Sequence, residues 1–424
     1  MKIYQQSLIE MKKVVKRYTQ QTTDLKIEKI VREILANVRQ KKDQALREYE
    51  LKFDQTKIQD FEIPAEQLTA ALNEISPALK QALEHAKKNI TSFHQMELEN
   101  GFIDTHVPGI IRGQKVTPLE RVGLYVPGGT AAYPSTILMT ALPAKIAGVD
   151  QVIMVTPPQK TGIAPAVLAA AKIAGVDAVY QVGGAQAIAA LAYGTESIPA
   201  VNKIVGPGNI FVATAKKQVF GQVAIDMVAG PSEIGILADE TADPKELAAD
   251  LLSQAEHDKR ARPMLITNSL ELAQKVSQAV DDQLQRLPRK EIAAASVADR
   301  GFIAVMNSIP EMFALMNEVA PEHLEIQLAD PAQYLSLIRN AGSVFLGRYA
   351  SEPLGDYLAG PNHVLPTGGT AKFSSPLGVY DFVKKTQFIQ FSQPALKADL
   401  ADITKLARTE GLEGHARAVE QRFK

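Results

Sequence analysis

Two kinds of hydrophobic pattern divide this chain. Over the first hundred or so residues, apolar positions recur at helical intervals among Lys, Glu and Gln. In IEKIVREILANVRQKKDQALREYELKF (Ile27–Phe53) they gather on one face with charge opposite, as in an amphipathic helix. A shorter helix is predicted over Met1–Tyr18. From Arg121 the texture becomes short β-branched runs, then glycine, then alanine-rich helix: RVGLYVPGG, VDQVIMVTPP, VDAVYQVGGAQAIAALAYG and NKIVGPGNIFVATAKKQV. AKIAGVD occurs at Ala144–Asp150 and again at Ala171–Asp177, each copy predicting a helix closed by a glycine cap and handed to a strand. A second set of strand signals follows in PSEIGILAD, ARPMLITN, RGFIAVMN and AGSVFLG, separated by helices such as PKELAADLLSQAEH. Strands alternating with helices predict two α/β domains with parallel sheets. From about Val379 the pattern returns to charged helix, ending in TKLARTEGLEGHARAVEQRF.

Composition narrows the chemistry. The chain has 424 residues, 46% hydrophobic and 22% charged, enough for large cores. A formal net charge of −1 argues against nucleic acid or an anionic membrane as a non-specific partner. There are no cysteines, so a transition-metal site must use His, carboxylate or amide ligands. Without a secretory apolar core near Met1 or a run of about 18 apolar residues, a cytoplasmic protein is expected.

The glycine loops VPGG (Val126–Gly129), VGGAQ (Val182–Gln186) and GPGN (Gly206–Asn209) lack the GxGxxG fingerprint, and each alone reads as a tight turn of an α/β sheet. Three at the ends of successive strands point to a nucleotide site, because helix N-termini there offer free N–H groups to phosphate. Four of the seven histidines lie in distinctive late segments. In LLSQAEHD, Gln254 and His257 are three apart and project from one helix face. APEHLEIQ sets Glu322 beside His323 after Pro321, where a loop would let the pair converge for proton transfer. GRYASEPLGDYLAGPNHVLPTGG carries Asp356 and His363 in a predicted irregular loop. Asp356 with Gln254, His257 and His415 makes a mixed N/O set suited to zinc, manganese or cobalt, although no spacing rule links them. Water activation by such a metal, with Glu322 as base, would equally describe a metallohydrolase.

Taken together, RVGLYVPGG, VGGAQAIAALAYGTES, KIVGPGN, AIDMVAGPSE, ADLLSQAEHD, APEHLEIQ, AGSVFLG, GDYLAGPNHVLPT and EGLEGH resemble the histidinol dehydrogenase family from about residue 120 to 415. The resemblance implies NAD⁺-dependent, four-electron oxidation of L-histidinol to L-histidine through the aldehyde and its hydrate. It implies one Zn²⁺ per subunit held by Gln254, His257, Asp356 and His415, anchoring the substrate rather than making hydroxide. His323 is then the base and Glu322 activates the water. Ser232, His363 and Glu410 fall near the substrate, together with the four metal residues and His323. Tyr125, Gln186 and Asn209 fall on NAD⁺. The implied fold is two incomplete Rossmann-like doubly wound domains with small helical terminal extensions. Its expected division is residues 1–21; 22–124 with 234–378; 125–233 on the NAD⁺ side; and 379–424, swapped in a homodimer whose sites are shared through Glu410 and His415.

Overall fold

A computed structural model describes residues 1–19, 25–128, 133–228 and 230–424. The expected 21/22 boundary and the last glycine of VPGG lie outside the described residues. The described residues build two six-stranded sheets and one three-stranded sheet. The first six-stranded sheet runs, edge to edge, Glu62–Ile63, Ala178–Gln181, Gln151–Thr156, Arg121–Tyr125, Lys203–Val205, Ala224–Ile225. All its pairings are parallel except that of Glu62–Ile63. The second is parallel throughout, in the order Lys2–Tyr4, Phe302–Val305, Arg262–Thr267, Glu233–Ala238, His323–Gln327, Ser343–Leu346.

Helices cover these sheets, so central strands such as Glu233–Ala238 and Arg262–Thr267 are buried at every residue. The AKIAGVD repeat behaves as its glycines predict. Gly148 and Gly175 adopt φ of +86° and +78°, and the N–H groups of Val149 and Val176 return to the carbonyls of Ala144 and Ala171.

The cores group residues differently from the expected division. Leu25–Phe53 is two helical segments joined at a break at Lys42 (φ +49°), and Leu35 and Leu46, one on each, pack with Tyr180, Ile188 and Ile204 of the first sheet's layer. Leu68, Leu83 and Ile90 join that layer's other face. Residues 25–94 therefore belong with the 121–225 sheet, not with 234–378, because their apolar stripes have their complement there. The first residues form a strand, Lys2–Tyr4, on the edge of the second sheet, and the helix starts only at Leu8. The C-terminal part opens with one 3-10 turn, Val379–Phe382, and then a strand rather than a charged helix: Val383–Phe391 pairs antiparallel with Ile110–Pro118, which pairs with Phe102–Asp104. Helices Gln393–Thr409 and Glu413–Glu420 follow. Among the described residues no helix is long and apolar enough to cross a membrane.

Strand order reverses beside Arg121–Tyr125 in the first sheet and beside Glu233–Ala238 in the second. Crevices open at such reversals. Here the loops leaving the first sheet's strands (Pro127, Gly206–Asn209) and the residues entering the second's (Ser232, Glu322) line one cavity.

Candidate active site

The cavity has a volume of about 380 Å³. Its walls hold Gln254 and His257 from one stretch of chain, Glu322 and His323 from another, and Asp356 and His363 from a third, with Ser232 and Asn209 also lining it. Helix Pro244–Ala255, capped by Asp243, ends at the cavity. Gln254 is buried in its last turn; His257 lies just beyond, its N–H donating to the Gln254 carbonyl at 3.1 Å. A helix C-terminus carries partial negative charge, which favours a cation there.

Glu322 and His323 sit differently from the expected loop tip. Ala320 closes helix Ile309–Val319 with φ of +51°, Pro321 follows, and His323 is the first residue of a wholly buried strand. The irregular backbone precedes the pair instead of containing it. The adjacent strand's Glu233 grips both side chains with its peptide groups. Its N–H donates to Glu322 Oε2 at 2.8 Å, and its carbonyl lies 3.0 Å from His323 Nδ1. A carbonyl only accepts, so Nδ1 carries a proton in either state, and in the neutral ring the lone pair is on Nε2. Glu233 is itself fixed by a buried ion pair, Arg262 Nη1 to Glu233 Oε1 at 2.7 Å.

His323 Nε2 faces Asp356 Oδ1 and Glu352 Oε1, each at 3.8 Å. Glu352 and Asp356 stand one turn apart on the short helix Glu352–Tyr357, where a loop is expected from sequence. The liganding atoms of His323, Glu352 and Asp356 lie within 4.8 Å of one another. His323 Nε2 and Glu352 Oε1 are buried without a hydrogen-bond partner. Asp356 Oδ1 is also 3.7 Å from His363 Nδ1, which approaches the Asp356 carbonyl at 3.0 Å. Glu352 escapes sequence reasoning, although the i, i+4 spacing in SEPLGDY is its signal.

This concentration of acid sets the electrostatics. Burial pushes Glu322 up to about 8. Burial works against a charged His323, but the carboxylates of Glu322, Asp356 and Glu352 outweigh it and carry the imidazole up to about 10. Burial, then the charge of Asp356, lifts Glu352 to about 7. Asp356 moves the other way despite burial, held at about 2 by His323 and His363. Desolvation pulls His257 and His363 below the usual imidazole value.

Of the remaining expected residues, Asn209 reaches this cavity and Tyr125, Gln186, Glu410 and His415 do not. Asn209 lines it while capping helix Ile210–Val219, its Oδ1 accepting from Phe211 and Val212 N–H at 3.0 and 3.2 Å. Tyr125 and Gln186 are buried behind the glycine loops, away from the cavity lining. Glu410 and His415 are exposed, at the end of Gln393–Thr409 and on Glu413–Glu420 respectively. Behind the GPGN loop, buried Lys216 pairs with Asp226 and donates to the Gly206 carbonyl at 2.9 Å, while Asp226 Oδ2 accepts from Gly206 N–H at 2.8 Å.

Comparison with known proteins shows the family. Residues 16–423 match the family model described as histidinol dehydrogenase. A histidinol dehydrogenase of Lactiplantibacillus plantarum is 69% identical over 423 residues, covering 100% of this chain and 99% of its own length. One from Listeria monocytogenes is 55% identical with the same coverage. The crystal structure of histidinol dehydrogenase from Elizabethkingia anophelis superposes with a TM-score of 0.94 at 38% identity, covering 100% of this chain and 98% of that one. With a match across nearly the whole chain and an α/β fold in common, the chain belongs to the histidinol dehydrogenase family, oxidoreductases of histidine biosynthesis.

Proposed function

We propose that this chain oxidises L-histidinol to L-histidine in two NAD⁺-linked steps, with Glu322 and His323 moving the protons. The observation that carries the reading is the grip of Glu233, which, once His323 is deprotonated, leaves the ring's lone pair on Nε2, the nitrogen turned toward Asp356 and Glu352. His323 Nε2 takes the hydroxyl proton of the alcohol, and later that of the aldehyde hydrate. Glu322, ionised, takes a proton from the water that adds to the aldehyde. NAD⁺, when bound, accepts a hydride in each oxidation. Asn209, Tyr125 and Gln186 are the proposed contacts to it; Ser232, His363 and Glu410 are those to substrate.

A cation fits the walls. Glu322, Glu352 and Asp356 crowd one imidazole, and two buried polar atoms there have no partner. Buried charge in that excess calls for compensation. Gln254, His257 and Asp356, with His415 of the partner subunit, would hold Zn²⁺. The metal would template the substrate by binding its imidazole and amino nitrogens. Glu352 would then stand behind the ligands Gln254 and Asp356, where carboxylates commonly orient a metal's ligands.

The dimer is part of the same reading. Phe102, Ile103, Phe388 and Ile389 leave the three-stranded sheet with large apolar side chains in water, which suits a subunit interface. That arrangement would bring Glu410 and His415 to the partner's cavity. The test is NADH absorbance from purified enzyme, histidinol and NAD⁺. Two NADH per histidinol, lost with chelator, is expected. Histidinol consumption without NADH would overturn the reading.

A further inference from the structure

Glu50 takes no part in the cavity, yet it is one of the most thoroughly buried acids in the chain. It lies in the last turn of the Leu25–Phe53 helix and is 0% exposed. Its Oε1 accepts from Gly183 N–H at 3.2 Å and from Gln186 Nε2 at 2.9 Å, while Oε2 has no donor. Beside it, Tyr125 Oη accepts from Gly184 N–H at 3.1 Å. These N–H groups open helix Gly184–Tyr193, the third strand–loop–helix turn of the first sheet. In nucleotide-binding folds such groups receive phosphate. Here a carboxyl and a phenol of the protein itself occupy them.

The turn leaves little freedom. Gly184 has φ of +62°, and a Cβ on Gly183 would stand 2.7 Å from Pro157. Burial, with Asp54 adding to it, pushes Glu50 up to about 8 against the two donors. The bond from its amide nitrogen to Glu50 fixes the orientation of the Gln186 carboxamide.

We propose that Glu50 is a positioning residue of the dinucleotide subsite, holding Gln186 and the Gly183–Gly184 turn from behind in the place a nucleotide phosphate would otherwise take. The proposal rests on the reading that Gln186 contacts NAD⁺. It implies that the pyrophosphate lies elsewhere than on helix Gly184–Tyr193.

Steady-state kinetics of the intact, metal-loaded enzyme, with NAD⁺ and histidinol varied separately, and calorimetric titration of NAD⁺ without histidinol test it, the NAD⁺ Kd being expected to move with the NAD⁺ KM. Glu50→Ala removes the acceptor of two hydrogen bonds and should raise the NAD⁺ KM about five- to tenfold, leaving kcat and the histidinol KM within about twofold. Glu50→Gln keeps the acceptor oxygen and offers Asp54 a donor, so it should restore the parent NAD⁺ KM. Added to Gln186→Ala, the Glu50→Ala change should cause less than its effect alone. An unchanged NAD⁺ KM in folded Glu50→Ala, with Gln186→Ala raising it, overturns the proposal and leaves the NAD⁺ assignment standing. An unchanged KM in Gln186→Ala removes that residue from the NAD⁺ site. Glu50 then keeps its role, through the glycine turn, if Glu50→Ala still raises the KM, and loses it otherwise. Should Glu50→Ala fail to fold, Glu50→Asp decides: one methylene short, it should raise the NAD⁺ KM where Glu50→Gln does not. Equal behaviour of those two variants overturns the proposal.

Discussion

Replacing Glu322 by Gln should separate the two halves of the reaction. The carboxylate accepts one hydrogen bond, from Glu233 N–H at 2.8 Å, and a glutamine carbonyl can accept the same bond. The fold should therefore lose no more than about 1 kcal/mol, the net worth of one such bond. The charge is what disappears. Glu322 is the largest of the influences that raise His323, so its removal lowers the imidazole's affinity for a proton and leaves His323 readier to act as base. The first oxidation should survive within about tenfold, whereas loss of a positioned general base should slow hydration of the aldehyde by about 10²–10⁴-fold. That corresponds to about 2.7–5.4 kcal/mol of barrier. Single-turnover stopped flow at 340 nm, with enzyme in excess over histidinol, reads both hydrides. The expected trace is one fast NADH followed by a slow second, with histidinaldehyde trapped by semicarbazide. Equal slowing of both phases, or an unaltered second phase, would refute the division of labour between Glu322 and His323.

The proposed roles need Glu322 ionised and His323 neutral. Both are raised, to about 8 and about 10, so kcat/KM should climb as pH rises through their titration. A cation beside Asp356 disfavours imidazolium and favours carboxylate, so metal should move that rise to lower pH; activity falling between neutral and mildly alkaline pH would contradict it. Asp226→Asn leaves Lys216 buried without its counter-ion and should cost about 3–5 kcal/mol of stability, read by urea denaturation. A loss below about 1 kcal/mol would mean that the pair does not hold the GPGN loop. Mixing inactive His323→Asn and His415→Asn chains should restore part of the activity through one intact site per heterodimer. No rescue after subunit exchange, verified by mass spectrometry, would count against shared sites.

Most of the α/β frame is legible because its signals are local. Strands such as Gln151–Thr156 and Arg262–Thr267 are apolar runs closed by turn residues, and Gly148 and Gly175 end helices for steric reasons. Where local chemistry conflicts with tertiary burial, the pattern misleads. HLEIQ holds a charged residue, Glu325, buried because it accepts from Glu352 N–H at 2.8 Å; nothing local announces that partner. VKKTQFIQF is largely exposed and polar, so its pairing with Ile110–Pro118 is invisible without the fold. The division of the cores failed for a related reason, since an amphipathic stripe such as that of Leu25–Phe53 does not say which sheet it will cover. The side chains of the site carry readable types, whereas the peptide groups of Glu233 that set the His323 tautomer belong to the backbone and leave no trace in a sequence. Glu410 and His415 lie on exposed helices, and no single chain can reveal where a second copy would carry them.

The central claim is spatial: one metal ion, bound across two subunits, beside the Glu322–His323 couple. Anomalous diffraction at the zinc absorption edge, from crystals of the zinc-loaded enzyme, tests it most directly. The account predicts one peak per subunit, bounded by Gln254, His257, Asp356 and the partner subunit's His415. A peak centred instead among His323, Glu352 and Asp356, or none in an active crystal, would contradict it.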